Sequence, residues 1–220
     1  MLLDVTNIKA VIFDMDGVLF YSSDCHEEAW RDAFQSVGIT DFVYASIAGM
    51  RTDEAAKKIL QEQGCEATEV ELEKLINRKR EKALALLKAR GKVSEGSKKL
   101  VQTLSSWYRL VLASSASPAT VEFFLTASGY AEVFEHVLTG ASVQTAKPSP
   151  EIYLMALDRL NLPPQSAIVI EDAVSGIEAA KGAGIPVIAI TGTETRSRLE
   201  TTGAEGIVDR LEEIMAILEK

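Results

Sequence analysis

The chain reads as an α/β protein, a parallel sheet with helices on both faces, interrupted after its first strand by an all-α insertion. Three observations carry that reading. From residue 107 onward, short runs rich in Val and Ile alternate with amphipathic stretches, the pattern of βαβ units whose strands are buried on both faces. Residues 22–91 instead carry apolar positions at helical spacing and no convincing strand. The 220 residues, 47% hydrophobic and 25% charged, match ordinary globular usage and suffice for a sizeable core.

The first strand is Ala10-Val11-Ile12-Phe13, which ends abruptly in Asp14-Met15-Asp16-Gly17. Desolvating a carboxylate without compensation is costly, so acids at the tip of a buried strand are paired, hydrogen-bonded or metal-bound. Side chains alternate with period two, and Asp14 and Asp16 would share a side if the strand continued. The insertion follows, with Ala55, Ile59 and Leu60, then Leu72, Leu75 and Ile76, at helical spacing, and Gly38, Gly64 and Gly91 as breaks. The expected core is therefore 1–21 plus 92–220, and the expected helical unit 22–91.

Beyond the insertion, Arg109–Ala113 reads as the second strand and ends at Ser114, followed by a helix over Pro118–Ser128 whose proline suits a first turn. A third strand at 136–139 leads into a loop carrying Lys147 and a helix from Pro150 through Leu157. The fourth, Ala167–Ile170, runs into Glu171-Asp172 and a helix from about Ser175 to Ala183. Pro186–Ile190 is the fifth, with helical text after Thr193.

In an open parallel sheet, ligands bind beyond the carboxyl ends of the strands, where strand order reverses. Asp14, Asp16, Ser114, Lys147, Glu171 and Asp172 all fall at such ends. Each alone has a plain reading: the acids as turn or cap residues, Ser114 as a helix cap, Lys147 as a solvated loop cation. Together they suit one divalent cation and a phosphoryl group.

A net charge of −9 lacks the basic footprint of a nucleic-acid binder, so no nucleic acid is expected as partner. No apolar run reaches the roughly 18 residues of a membrane span, and no membrane partner is expected. Cys25, Cys65, His26 and His136 lack zinc-ligand spacing, which leaves free cysteines and an expected cytoplasmic location.

Phosphate monoesters resist attack because an anionic nucleophile must approach an anionic group, so charge has to be cancelled first. An Asp can attack phosphorus directly, and Mg²⁺, held by a few carboxylate oxygens, cancels the charge. Asp14, Glu171 and Asp172 fit as ligands. Asp16 would protonate the leaving oxygen and later activate water, with its pKa raised relative to its neighbour. Lys147 and Ser114 would meet the phosphoryl oxygens.

Asp14-Met15-Asp16-Gly17-Val18-Leu19, the strand ending in Ser114, Lys147-Pro148-Ser149-Pro150-Glu151-Ile152-Tyr153, and Glu171-Asp172 followed by Gly176-Ile177-Glu178-Ala179-Ala180 resemble the four ordered motifs of the haloacid dehalogenase superfamily. The resemblance spans nearly the whole chain. It implies a Rossmann-like core, Mg²⁺ dependence and an aspartyl-phosphate intermediate. It implies further that Asp14 is nucleophile and ligand, that Asp16 is acid/base and binds metal through its carbonyl, and that the insertion is a mobile cap.

Asp16 argues against dehalogenases, which generally lack a second Asp, and against phosphonate hydrolases, which usually carry Ala there. Cys25-His26-Glu27-Glu28-Ala29-Trp30 and Gly49-Met50-Arg51, with Lys79, resemble the β-phosphoglucomutase and sugar phosphatase branch. By that resemblance His26 works beside Asp16, and Arg51 and Lys79 reach distal groups of a small phosphorylated metabolite. Gly49 and Ser115 join them as candidates for binding substrate. Tyr21 stands where mutases commonly carry an acid, Ser117-Pro118 lacks their Lys, and Glu95-Gly96 replaces Pro-Gly. A phosphatase is therefore expected, in monomeric form, with a phosphosugar mutase as the alternative. A non-catalytic phosphoreceiver would share the acids and the lysine but seldom carries such a cap.

Overall fold

The computed structural model describes residues 5–218; the outermost ends of the expected core, 1–4 and 219–220, lie outside the described residues. Strand β1 (Ala10–Phe13) is followed by a two-residue strand β2 (Phe20–Tyr21) and then by three helices, α1 (Ser23–Gln35), α2 (Thr52–Glu62) and α3 (Glu69–Arg90). A second two-residue strand, β3 (Lys92–Val93), leads back to α4 (Ser97–Leu104), β4 (Arg109–Ala113) and α5 (Pro118–Ser128). Next come β5 (His136–Leu138), α6 (Glu151–Leu160), β6 (Ala167–Glu171), α7 (Val174–Gly182) and β7 (Val187–Ile190). The described chain closes with α8 (Arg196–Glu200), β8 (Gly206–Val208) and α9 (Leu211–Leu218).

Six strands form one parallel sheet in the order β5-β4-β1-β6-β7-β8, so the expected α/β class holds. Strand β1 lies between β4 and β6, and the order reverses there, opening a crevice beyond its carboxyl end. Period-two alternation sends Val11, Phe13, Leu110, Leu112, Ile168 and Ile170 into one core layer. Ala10, Ile12, Val111, Ala113, Ala167 and Val169 enter the other. Helices α4, α5 and α9 cover the first face through Leu104, Phe124 and Ile214, and α6, α7 and α8 cover the second through Tyr153, Ile177 and Leu199. At roughly 1.5–3 kcal/mol for each fully buried large apolar side chain, these two layers dominate the energetics of the sheet.

The helical segment has its own apolar cluster, with Trp30 stacked on Phe34 at 4.8 Å between ring centroids and Ile47, Ala55, Ile59, Leu75 and Ile76 around them. Helix α3 starts in a full capping box: Thr68 accepts from the Glu71 N–H while Glu71 accepts from the Thr68 N–H. Helix α5 starts as the sequence indicates, Ser117 capping the Thr120 N–H and Pro118 in the first turn.

One pairing escapes the sequence reading. Strands β2 and β3 pair antiparallel, Phe20 opposite Val93 and Tyr21 opposite Lys92, where the chain leaves and rejoins the sheet. Two residues give no readable alternation, so this pairing arises only once both ends of the insertion are brought together. Strand β8 and helices α4 and α9 are likewise elements that the sequence reading does not mark.

Candidate active site

The carboxyl ends of β1, β4, β5 and β6 meet in the crevice. Lys147, in the loop after β5, is almost completely buried; its Nζ donates to Asp14 Oδ1 at 2.6 Å, to Glu171 Oε1 at 2.8 Å and to the Ala113 carbonyl at 3.0 Å. Burial alone would discharge the ammonium, but Asp14 and Glu171 outweigh it and hold the lysine pKa well above its ordinary value. Glu171 is anchored further: Oε1 accepts from the Tyr153 hydroxyl, and Oε2 from the N–H groups of Asp172 and Ala173. Lys147-Pro148 is a cis peptide.

Carboxylate oxygens of Asp14, Glu171 and Asp172 lie within 4.8 Å of one another, all buried. Three acids face one lysine, so negative charge is in surplus. Asp172 Oδ2 is buried with no hydrogen-bond partner among the described residues. Burial raises the Asp14 pKa to about 8, with Glu171 and Asp16 adding to the rise against the pull of Lys147. Burial, then the charges of Glu171 and Asp14, raise Asp172 well above the ordinary carboxylate range. An all-oxygen set with an orphaned buried carboxylate oxygen fits a hard divalent cation.

Asp16 is part-buried and belongs to a different network. His26, on α1, places Nε2 3.0 Å from Asp16 Oδ1, and Lys79, on α3, places Nζ 3.2 Å from His26 Nδ1. A lysine ammonium only donates, so Nδ1 accepts and the imidazole proton sits on Nε2, aimed at Asp16. Lys79 is 7% exposed and lies 5.1 Å above the Trp30 ring, with burial lowering its pKa to about 8. It is not a solvated-face lysine.

This corrects the expected order of the two acids. Burial pushes Asp16 up, but the hydrogen bonds from His26 and Ser22, with the Lys79 charge beside them, prevail and its pKa is lowered, whereas that of Asp14 is raised. The imidazole and the ammonium that face Asp16 come from the helical segment, which strand-tip reasoning does not reach.

A small cavity of about 50 Å³ is lined by Asp14, Asp16, His26, Gly49, Lys79 and Ser115. Ser115 Oγ is buried and unpartnered among the described residues, whereas Ser114 Oγ accepts the Ala116 N–H at 3.0 Å and so shapes its turn. Gly49, at φ +74°, permits close packing: a β-carbon there would fall 2.6 Å from Ser175 Oγ, which donates to the Ala48 carbonyl. Tyr44 lines the same cavity and was not indicated by the sequence; burial and the charges of Asp16 and Asp172 raise its pKa well above the ordinary value. It follows an unremarkable loop, and no local pattern marks it.

A wider cleft of about 610 Å³ adjoins this cavity through Thr52, Ser115 and Ala116, and Arg51 lines it. The Arg51 guanidinium is bound to protein, to Asp53, Glu54 and the carbonyls of Gly140, Val143 and Gln144.

Comparison with known proteins agrees with this geometry. A family model for haloacid dehalogenase-like hydrolases matches residues 8–184. The phosphorylated carbohydrates phosphatase of Thermotoga maritima is 31% identical over 97% of this chain and 99% of its own. Protein CbbY of Cereibacter sphaeroides is 30% identical, covering 94% of each chain. Among solved structures, β-phosphoglucomutase from Clostridium difficile superposes with a TM-score of 0.82 at 27% identity, over 96% of this chain and 97% of that one. Agreement of this extent, reaching across the sheet and the helical segment alike, makes the chain a member of the haloacid dehalogenase-like hydrolase family.

Proposed function

We propose that this hydrolase is a Mg²⁺-dependent phosphatase that cleaves a small phosphorylated sugar through an aspartyl-phosphate on Asp14. The observation that carries the reading is the meeting of Asp14, Lys147 and the adjacent Glu171 and Asp172, from the ends of three strands, with one buried carboxylate oxygen left unpartnered among the described residues. The T. maritima relative, a phosphorylated carbohydrates phosphatase, supports a phosphorylated carbohydrate as substrate.

Asp14, Asp172, Glu171 and the Asp16 carbonyl would hold Mg²⁺, which supplies the positive charge that lets an anionic carboxylate approach a phosphoryl group. Asp14 attacks phosphorus, and the sugar oxygen leaves with a proton from Asp16, which, with its pKa held below the ordinary value, must first take that proton up from solvent. Asp16, now a carboxylate, takes a proton from water as that water attacks the aspartyl-phosphate, releasing phosphate and restoring Asp14. His26 donates to Asp16 and fixes its orientation, with Lys79 fixing the imidazole tautomer. Lys147 opposes the charge gathering on the phosphoryl oxygens; Ser114, whose oxygen already accepts from Ala116, has its proton free to donate to them, and Ser115 offers a second hydroxyl.

In this reading 22–91 is a cap domain over a core of 1–21 and 92–220. It excludes water and tests the sugar through Gly49 and Lys79. Two free cysteines, Cys25 buried and Cys65 exposed, suit a reducing cytoplasm, and one chain supplies the whole site, as a monomer requires. No helix among the described residues is long and apolar enough to cross a membrane.

The test is a panel of sugar phosphates with Mg²⁺, with isomerisation of β-glucose 1-phosphate followed in parallel. Release of inorganic phosphate that EDTA abolishes is the expected result. Isomerisation outrunning hydrolysis would replace the phosphatase by a mutase.

A further inference from the structure

We infer that Glu54 and Arg51, at the start of α2, are positioning residues for Lys147: they grip the loop that carries it, so that seating the helical segment and placing the lysine are one event. The kinetic part of this inference rests on the phosphatase reading; the structural part does not.

The backbone polar groups of the loop after β5 find their partners on two sides. The N–H groups of Gln144 and Thr145 donate to the two carboxylate oxygens of Glu151, both at 2.8 Å, and the Ala146 carbonyl accepts from Ser149. Those partners belong to the loop's own side of the molecule. The carbonyls of Gly140, Val143 and Gln144 accept from Arg51 at 3.3, 2.9 and 3.0 Å, and the Ala146 N–H donates to Glu54 Oε1 at 2.9 Å. The residue immediately after Ala146 is Lys147. Four backbone groups of the loop therefore have their partners on the helical segment, and a backbone polar group that loses its partner in a part-buried setting must find another.

Arg51 has no N–H to spare. Its Nε donates to Asp53 Oδ1 at 2.6 Å, Nη1 serves two carbonyls, and Nη2 serves Asp53, Glu54 and Gln144. A guanidinium carries five N–H donors, and all are engaged. In this seated arrangement it cannot also grip a substrate, and its contribution to turnover runs through the loop. Glu54 Oε1 joins the two halves, accepting from both Arg51 and Ala146. Gly140 adds a tight fit: a β-carbon there would fall 2.5 Å from the Ser115 carbonyl, so the loop has little slack against the crevice.

A substrate grip predicts a different pattern. Losing one reaches only substrates with a distal group to hold, whereas a displaced Lys147 slows every phosphoryl transfer. The experiment compares Arg51→Ala, Arg51→Lys, Glu54→Ala and Glu54→Gln in the full-length protein, reading hydrogen–deuterium exchange of the peptide containing Ala146, and kcat and KM for one sugar phosphate and one aryl phosphate. Glu54→Ala and Arg51→Ala are expected to speed exchange at Ala146 and to lower kcat by about tenfold on both substrates. Glu54→Gln keeps a carbonyl oxygen for the Ala146 N–H and restores most of the protection and most of kcat. Arg51→Lys does not, because one ammonium cannot span three carbonyls and two carboxylates. The Arg51→Ala/Glu54→Ala pair should be no slower than the worse single variant.

Unchanged exchange at Ala146 in both alanine variants would overturn the inference. So would a raised KM for the sugar phosphate alone with kcat intact on the aryl phosphate. Wild-type protein that hydrolyses neither substrate would refute the phosphatase reading instead, and Ala146 exchange would then decide the positioning claim by itself.

Discussion

Gly17 and Asp172 approach so closely that a single methyl group would collide: a β-carbon on Gly17 would fall 1.8 Å from Asp172 Oδ2. Gly17 also holds φ at +81°, where L side chains are strained. The glycine after Asp16 thus makes space for the carboxylate oxygen that lacks a partner among the described residues.

Gly17→Ala is accordingly expected to lower kcat by about a hundredfold, since a displacement near 1 Å at a reacting centre has that effect. The backbone strain itself should cost only about 1–2 kcal/mol. Steady-state hydrolysis and thermal unfolding of the same preparation check this; a stability loss without a rate loss would remove Asp172 from the chemistry.

Asp172→Asn should change stability with opposite sign in the presence and absence of metal. The folded-state pKa of Asp172 lies above its ordinary 3.8, so the fold holds the proton more tightly than the unfolded chain, and stability falls as pH rises through that window. At neutral pH without metal, the variant should be more stable by about 1–3 kcal/mol, having lost the cost of burying a carboxylate beside Glu171 and Asp14. With millimolar Mg²⁺ the wild type should gain and the variant should not. Urea unfolding with EDTA and with Mg²⁺ reads both arms.

Lys79→Met tests the Asp16–His26–Lys79 line through pH. Lys79 has a folded pKa of about 8 against an ordinary 10.5, so below about 8 the fold bears the cost of burying an ammonium. Between about 8 and 10.5 the unfolded chain binds more protons, and wild-type stability should rise with pH across that window. The variant should lack this rise and be the more stable protein near neutrality, yet turn over more slowly. Parallel pH profiles of stability for the two proteins would exclude the burial assigned to Lys79.

Asp14→Asn should leave folding nearly intact and retain less than about a tenth of the wild-type rate. Asp16→Ala, by contrast, should accumulate a phosphorylated Asp14, because the second half-reaction loses its base. Rapid quenching and mass spectrometry distinguish them: phosphoryl-enzyme in Asp16→Ala and none in Asp14→Asn.

Much of this site is legible in the sequence. Apolar runs that end in Asp14, Ser114 and Glu171-Asp172, and a third whose following loop carries Lys147, report buried strands locally, and the rule that parallel strands present their carboxyl ends together brings those residues to one crevice. Helical spacing likewise gave the character of 22–91. Tyr44, the pairing of β2 with β3, and the space left by Gly17 had no comparable signal, because each depends on a neighbour distant in the chain.

The sequence by itself determined the α/β class and which strand tips carry chemistry, since burial periodicity and strand polarity are local properties with a fixed geometric consequence. Only the tertiary structure decided how the helical segment meets that crevice. It set His26 and Lys79 against Asp16, which inverted the expected order of the two acids, and it spent the Arg51 guanidinium on backbone carbonyls of the Lys147 loop. A pKa and a hydrogen-bond partner depend on what is packed within a few ångströms, and for these residues that neighbourhood is assembled from segments far apart along the chain.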